Sequence, residues 1–271
     1  MSRFIPFLAL SLVVCPLVSE TPQKASAAVR LKALEQEAAK LRREILLRTQ
    51  HEGAEGASPA AALEALKEGN ERFVKGLRIR SQLGAGDPAT REALAKGQAP
   101  FAVIVTCSDS RLADNFIFDQ ELGRLFTIRE AGNCPDLQGL ASVEYAVEHL
   151  GSVLVVVLGH ESCGAVKAVF ESGPKPLPGN LWSLQAAMAG LLESVHRDTE
   201  EPLSLHLSHL AESNARRQAE GIVARSAIVK ELCAKGKITV LPAMYDLASG
   251  RVRFLPAIPA GEAPAGEEKH H

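Results

Sequence analysis

Two short stretches hold the side chains best suited to chemistry. Cys107-Ser108-Asp109-Ser110-Arg111 follows the apolar run Phe101-Ala102-Val103-Ile104-Val105-Thr106, and His160-Glu161-Ser162-Cys163-Gly164 follows Val153-Leu154-Val155-Val156-Val157-Leu158. Both runs read as buried strands, so each polar cluster begins where a strand stops, which is where open parallel sheets keep their sites. Two thiolates and one imidazole delivered by neighbouring strand ends make three ligands for Zn2+, at about 2.3 Å for sulfur and about 2.0–2.1 Å for nitrogen. A fourth position stays open, which separates a catalytic zinc from a structural one. Asp109, two residues from Cys107, competes with water for that position and becomes a ligand in a closed state. Arg111 opposes closure by offering the carboxylate a bidentate partner. Taken singly, Cys107 or Cys163 reads as a small buried residue at a strand end, and Asp109 with Arg111 as an ion pair capping a turn. The combination with His160 favours metal.

The elements around these stretches form an alternating pattern. Leu125-Phe126-Thr127-Ile128-Arg129 is a second strand, ending in the turn Ala131-Gly132-Asn133. Leu140, Val143, Val147 and Leu150 keep helical spacing before Gly151, and the next strand follows at once. Strand, helix and strand with a short loop imply a parallel pair and a right-handed crossover. Gly164 to Phe170 reads as a helix whose first free N–H groups face the metal cluster and favour an anion. Helices are expected over Leu181–His196, Leu203–Glu220 and Ile222–Ala234, then a strand over Lys237–Ala243. Arg251-Val252-Arg253-Phe254-Leu255 pairs with that strand across the Ala248-Ser249-Gly250 turn. The fold class is therefore α/β: a mainly parallel central β-sheet with an antiparallel edge strand, flanked by helices.

The chain of 271 residues is 46% hydrophobic, enough for a real core, and its net charge of −2 gives no basic balance for nucleic acid. Arg3 precedes an apolar stretch, Phe4 to Val18, too short to span a bilayer comfortably but suited to a secretory leader. Ala25-Ser26-Ala27 supplies a cleavage motif. Residues 1–27 are thus expected to be a signal peptide, with a periplasmic or secreted mature chain and no stable membrane span within it. An uncleaved anchor is the alternative. Residues 28–57 read as an amphipathic helix with a seam at Leu31, Leu34, Ala38, Leu41 and Ile45, then a glycine-broken linker. Ser58-Pro59 starts a further helix, with Leu63, Leu66, Phe73 and Leu77 on one face in search of a surface. A short helix near Ala89 to Lys96 follows. The tail 256–271, rich in Pro, Gly and Ala, is expected to be disordered. Cys134 and Cys233 lack any ligand pattern and read as buried thiols, with a disulfide between them the alternative.

From about Ser58 to Leu255 the chain resembles the β-class carbonic anhydrases. The resemblance rests on Cys107 to Arg111, Arg129-Glu130-Ala131-Gly132-Asn133, Glu144-Tyr145-Ala146-Val147, Gly159 to Ala165, and Tyr245-Asp246-Leu247 followed by Gly250-Arg251-Val252. It implies zinc on Cys107, His160 and Cys163, a dyad of Asp109 and Arg111, and reversible hydration of carbon dioxide to bicarbonate and a proton. It also implies that Gln98, nine residues before Cys107, helps hold bicarbonate, that Phe126 and Tyr145 line the substrate pocket, and that the Gly164 N–H receives the anion. Homodimers or higher homo-oligomers, with helices such as Pro59 to Leu77 wrapping a neighbour, belong to the same implication. Two departures stand out: Glu130 where asparagine is usual, and Ile104 where members with an inhibitory bicarbonate pocket carry tryptophan, although Arg129 is kept. The rival readings are a carbon disulfide or carbonyl sulfide hydrolase on the same fold, and a zinc-stabilised assembly module without turnover.

Overall fold

The computed structural model describes residues 27–34, 37, 58–78, 88–194 and 202–259. They belong to two units, Met1–Leu41 and Arg42–His271. In the first, residues 27–34 are helical and exposed. The leader up to residue 26, most of the seam beyond Leu34, the linker 51–57 and the tail from residue 260 lie outside the described residues. No helix among the described residues is long and apolar enough to cross a membrane.

The second unit is built on five strands: β1 (Ala102–Thr106), β2 (Leu125–Arg129), β3 (Leu154–His160), β4 (Thr239–Tyr245) and β5 (Val252–Phe254). Their order is β2-β1-β3-β4-β5, with the first four parallel and β5 antiparallel at the edge. Every residue of β1 and β3 is buried. A parallel strand buried on both faces has no polar face to alternate, which is why these segments read as continuous Val, Ile and Leu runs. The chain leaves β1 for β2 on one side, then crosses back to β3 on the other through α4 (Leu137–Glu148). The connections after β1 and β3 therefore diverge, and the crevice between the two strand ends is the switch point at which open α/β sheets bind ligands.

Helix α1 (Pro59–Val74) begins with Ser58 Oγ accepting from the Ala61 N–H at 3.1 Å. Its inward face is docked on its own chain. Leu66 is fully buried. Asn70 donates to the carbonyls of Ile117 and Gly250 at 3.1 and 2.9 Å and accepts from the Val252 N–H at 2.9 Å. Arg72 meets the buried carboxylate of Asp119 at 2.6 Å. Gly69 permits this approach: a Cβ there would stand 1.7 Å from the Phe118 carbonyl oxygen. Short helices α2 (Pro88–Leu94) and α3 (Asp114–Ile117) flank β1 in sequence.

After β3 come α5 (Gly164–Ser172), α6 (Trp182–Ala187), α7 (Leu203–Arg225) and α8 (Ala227–Ala234). Helix α7 lies across β3 and β4, close because Ala211, Ala215 and Ala219 form its buried stripe. Two expectations are corrected here. The helix expected over Leu181–His196 is only the short α6, followed by turns that pass through Gly190 at φ 73°. The break expected at Gly221 falls at Ser226, whose hydroxyl accepts from the Val229 N–H at 3.1 Å and caps α8. A serine that can cap outweighs a glycine that merely tolerates the helix. Past β5, the Leu255 N–H donates to the Pro242 carbonyl and the Ile258 N–H to the Val240 carbonyl, each at 2.9 Å, so the described residues after Phe254 stay against β4. Cys134 and Cys233 are buried free thiols.

Candidate metal centre

Strand register delivers the donors. Thr106 stands opposite Leu158, so Cys107 leaves β1 beside the last residues of β3, across an interstrand gap of about 4.8 Å. His160 is the terminal residue of β3, paired with Tyr245. The chain then turns through Ser162, in the left-handed region at φ 54°, and returns Cys163 as the N-cap of α5. The ligand atoms of Cys107, His160 and Cys163 lie within 4.8 Å of one another, and all three residues are buried. Thr106 Oγ1 donates to the Leu158 carbonyl at 3.2 Å and the Glu161 N–H to the Tyr245 carbonyl at 3.2 Å, which tie the strand ends together.

The donor set passes a test of fit to a metal. His160 Nδ1 is 2.8 Å from the Glu161 carbonyl. A carbonyl only accepts, so Nδ1 carries the proton and Nε2 keeps its lone pair. That Nε2 is buried and has no hydrogen-bond partner, a costly state unless an ion takes the lone pair. The Cys107 thiol is lowered to about 4, first by the Cys163 thiol donating to it, with the Gly132 N–H assisting. The same contact and burial push Cys163 up, opposed by the amides of Ala165 and Val166 at the start of α5. Two thiolates and an imidazole suit zinc.

Beside the cluster, Arg111 grips Asp109 at two points, Nε to Oδ1 at 2.9 Å and Nη2 to Oδ2 at 2.7 Å, and its backbone N–H adds a bond of 3.0 Å to Oδ1. Arg129 Nη2 donates to the Asp109 carbonyl at 2.6 Å. The Arg111 guanidinium holds the Asp109 carboxyl well below the usual carboxylate range. Asp109 is thus ionised, with both oxygens turned to Arg111, and is not among the clustered donors.

The sequence profile described as carbonic anhydrase matches residues 102–252, which contain the donors and the dyad. The chain belongs to the carbonic anhydrase family. Carbonic anhydrase 2 of Mycobacterium tuberculosis is 40% identical over 195 residues, covering 72% of this chain and 91% of that one. A carbonic anhydrase of Mycolicibacterium smegmatis is 36% identical over 200 residues, covering 73% and 93%. Among solved structures, the Coccomyxa β-carbonic anhydrase in complex with acetazolamide superposes with a TM-score of 0.57 at 26% identity, covering 70% of this chain and 85% of that one. The fold is that of the β class, and its cofactor is zinc.

The other residues that the resemblance singled out are not all placed beside the donors. Gly164 opens α5 directly after Cys163 and is exposed, as an anion-receiving N–H requires. Gln98 lies away from the donors, and so does Phe126, level with Val103 near the start of β1. Gln98 precedes β1 whereas Cys107 follows it, so roughly 16 Å of strand separates the two levels. Gln98 lines an open cavity of about 320 Å³ with Leu94, Leu122 and Arg124, at the N-terminal end of the sheet. Phe126 sits part-buried in β2 opposite Val103, and Tyr145 is half-exposed on α4, ring to ring with His149 at 5.3 Å. Glu130 touches no ligand: it accepts from the Asp136 N–H at 3.0 Å and ties the Ala131–Asn133 turn to the start of α4. Ile104 is fully buried in β1.

Sequence reasoning missed Asn214 and Gln218, buried on α7 next to this turn. A signal existed: two amides four residues apart on a stripe otherwise made of Leu210, Ala211, Ala215, Ala219 and Ile222.

Proposed function

We propose that this chain catalyses the reversible hydration of carbon dioxide to bicarbonate and a proton, with zinc held by Cys107, His160 and Cys163. The observation that carries the reading is the buried, unpartnered His160 Nε2 facing two thiols, with an ionised Asp109 held beside them by Arg111. Zinc supplies the Lewis acidity that makes water nucleophilic near neutral pH. Asp109, oriented by Arg111, accepts the hydrogen of the attacking oxygen and aims its lone pair at the substrate carbon. The Gly164 N–H, at the positive end of α5, donates to the oxygen that becomes anionic. Gln98 supplies a second donor there, and Phe126 and Tyr145 an apolar wall for a small linear substrate. Because Gln98 and Cys107 bracket the same strand, Gln98 has to arrive from a second copy of the chain, which makes a homo-oligomer the working unit. The leader and the Ala25-Ser26-Ala27 motif support export to the periplasm or beyond, and a mature terminus near Ala28 by mass spectrometry would bear this out.

Stopped-flow hydration of carbon dioxide by purified protein of measured zinc content, beside assays with carbon disulfide and carbonyl sulfide, tests the reading. Zinc-dependent hydration is expected. Turnover of the sulfur substrates alone would assign the same site to a hydrolase, and zinc-replete protein inert in all three assays would leave a structural metal.

A further inference from the structure

The Ala131–Asn133 turn reaches the metal cluster through a single bond: the Gly132 N–H donates to Cys107 Sγ at 3.3 Å. The turn is closed by the Asn133 N–H donating to the Glu130 carbonyl at 2.9 Å, and Gly132 between them is held from outside it. Gly132 is left-handed, at φ 71°, and a Cβ there would stand 2.2 Å from Met188 Cε. Its carbonyl receives two donors, Asn214 Nδ2 at 2.7 Å and Cys134 Sγ at 3.2 Å. Asn214 is 1% exposed. Its amide orientation is set by Gln218, whose Nε2 donates to Asn214 Oδ1 at 3.2 Å and to the Ala187 carbonyl at 3.0 Å. Both amides project from α7, the helix seated across β3 and β4.

We infer that Asn214 is a positioning residue for the metal centre, holding Gly132 so that its N–H stays on the Cys107 sulfur, with Gln218 holding Asn214 in turn. The inference rests on the zinc reading above. An N–H on a thiolate ligand draws charge from sulfur and leaves the metal more electron-poor. In a site with two thiolates this is a direct way to restore Lewis acidity. Cys134, whose thiol is pushed up to about 12 by burial, serves the network as a neutral donor rather than as a nucleophile.

The test exchanges zinc for Co2+ in the full-length protein and follows the sulfur-to-cobalt charge-transfer absorption. Wild type without such bands would refute the metal reading itself, a separate failure. With wild-type bands in hand, Asn214→Asp keeps the oxygen that Gln218 addresses but loses the donor to Gly132, and Asn214→Ala loses both. Each is expected to move the bands to longer wavelength at full metal occupancy, with kcat reduced about 10- to 100-fold in the zinc form. Gln218→Met leaves Asn214 in place but frees its amide, and a smaller shift in the same direction is expected. If the Asn214 variants do not fold, Gln218→Met decides alone. Bands at the wild-type wavelength in the fully loaded variants would overturn the inference, because a residue that only packs the helix has no reason to alter sulfur's charge.

Discussion

The two ends of the parallel sheet do opposite things with the same strands. At the C-terminal end, strand register and the turn through Ser162 bring Cys107, His160 and Cys163 within 4.8 Å, and Arg111 and Arg129 fix Asp109 from two sides. At the N-terminal end, Gln98 lines an open cavity that includes the Arg124 guanidinium, with no metal-donor cluster there among the described residues. The three donors are gathered by one chain, whereas Gln98 lies at the far end of β1 from them. This difference sorts the expected variants by how much of the site each removes.

Cys163→Ala should have the largest effect. Two remaining ligands do not hold zinc tightly, so metal content and hydration should fall together, the latter by at least about 10³-fold. Atomic absorption and stopped-flow on the same sample check this. Full zinc with unchanged turnover would remove Cys163 from the site.

Gln98→Ala comes next, at roughly 10²-fold, the scale of a lost donor to a developing anion, with zinc retained. Its sharper use is complementation. In a two-fold dimer, mixing Gln98→Ala with Cys163→Ala subunits gives heterodimers with one intact site of two, so about a quarter of wild-type activity should return. If no activity returns although subunits exchange, Gln98 does not act from a neighbouring copy.

Arg111→Ala should keep zinc and lose about 10- to 100-fold in turnover, because Asp109 is then free to approach the metal. The Asp109 carboxyl should also rise toward its ordinary range. An Arg111→Ala enzyme with wild-type turnover and pH profile would show that the dyad does not govern access to the metal.

These contrasts also explain what the sequence made legible. Continuous apolar strands, the ligands just past their ends and the antiparallel edge at Val252–Phe254 follow from periodicity and turn chemistry, which are local. Docking of α1 through Asn70 was not legible, because its partners Ile117 and Gly250 lie 47 and 180 residues away. Nor was Asn214, whose meaning depends on a turn 82 residues earlier. Gln98 shows a third case: its position in the chain was plain, but its end of the sheet became clear only when β1 was seen to separate it from Cys107.

The smallest effect expected is on stability rather than turnover, and it asks whether the metal end of the sheet is tuned for strength. Asp114, at the start of α3, is 4% exposed with Oδ1 unpartnered. Burial pushes its carboxyl up to about 6, against the opposing pull of Arg129, the same arginine that braces Asp109. The folded state thus binds the Asp114 proton more tightly than the unfolded state, whose carboxyl titrates near 3.9. Between about pH 4 and 6 the native protein holds the extra proton, so this group makes stability fall as pH rises, and the penalty stays constant above that range. Asp114→Asn, neutral at every pH, should remove the slope and be more stable near pH 7 by roughly 1–3 kcal/mol, with little change in hydration. Urea unfolding of both proteins at pH 4.5 and 7.5 reads this as a difference of differences, in which the acid sensitivity of the metal ligands cancels. Equal pH dependence in the two proteins would mean that Asp114 has found a partner that offsets its burial, and that the metal end of the sheet carries no stability penalty at this carboxylate.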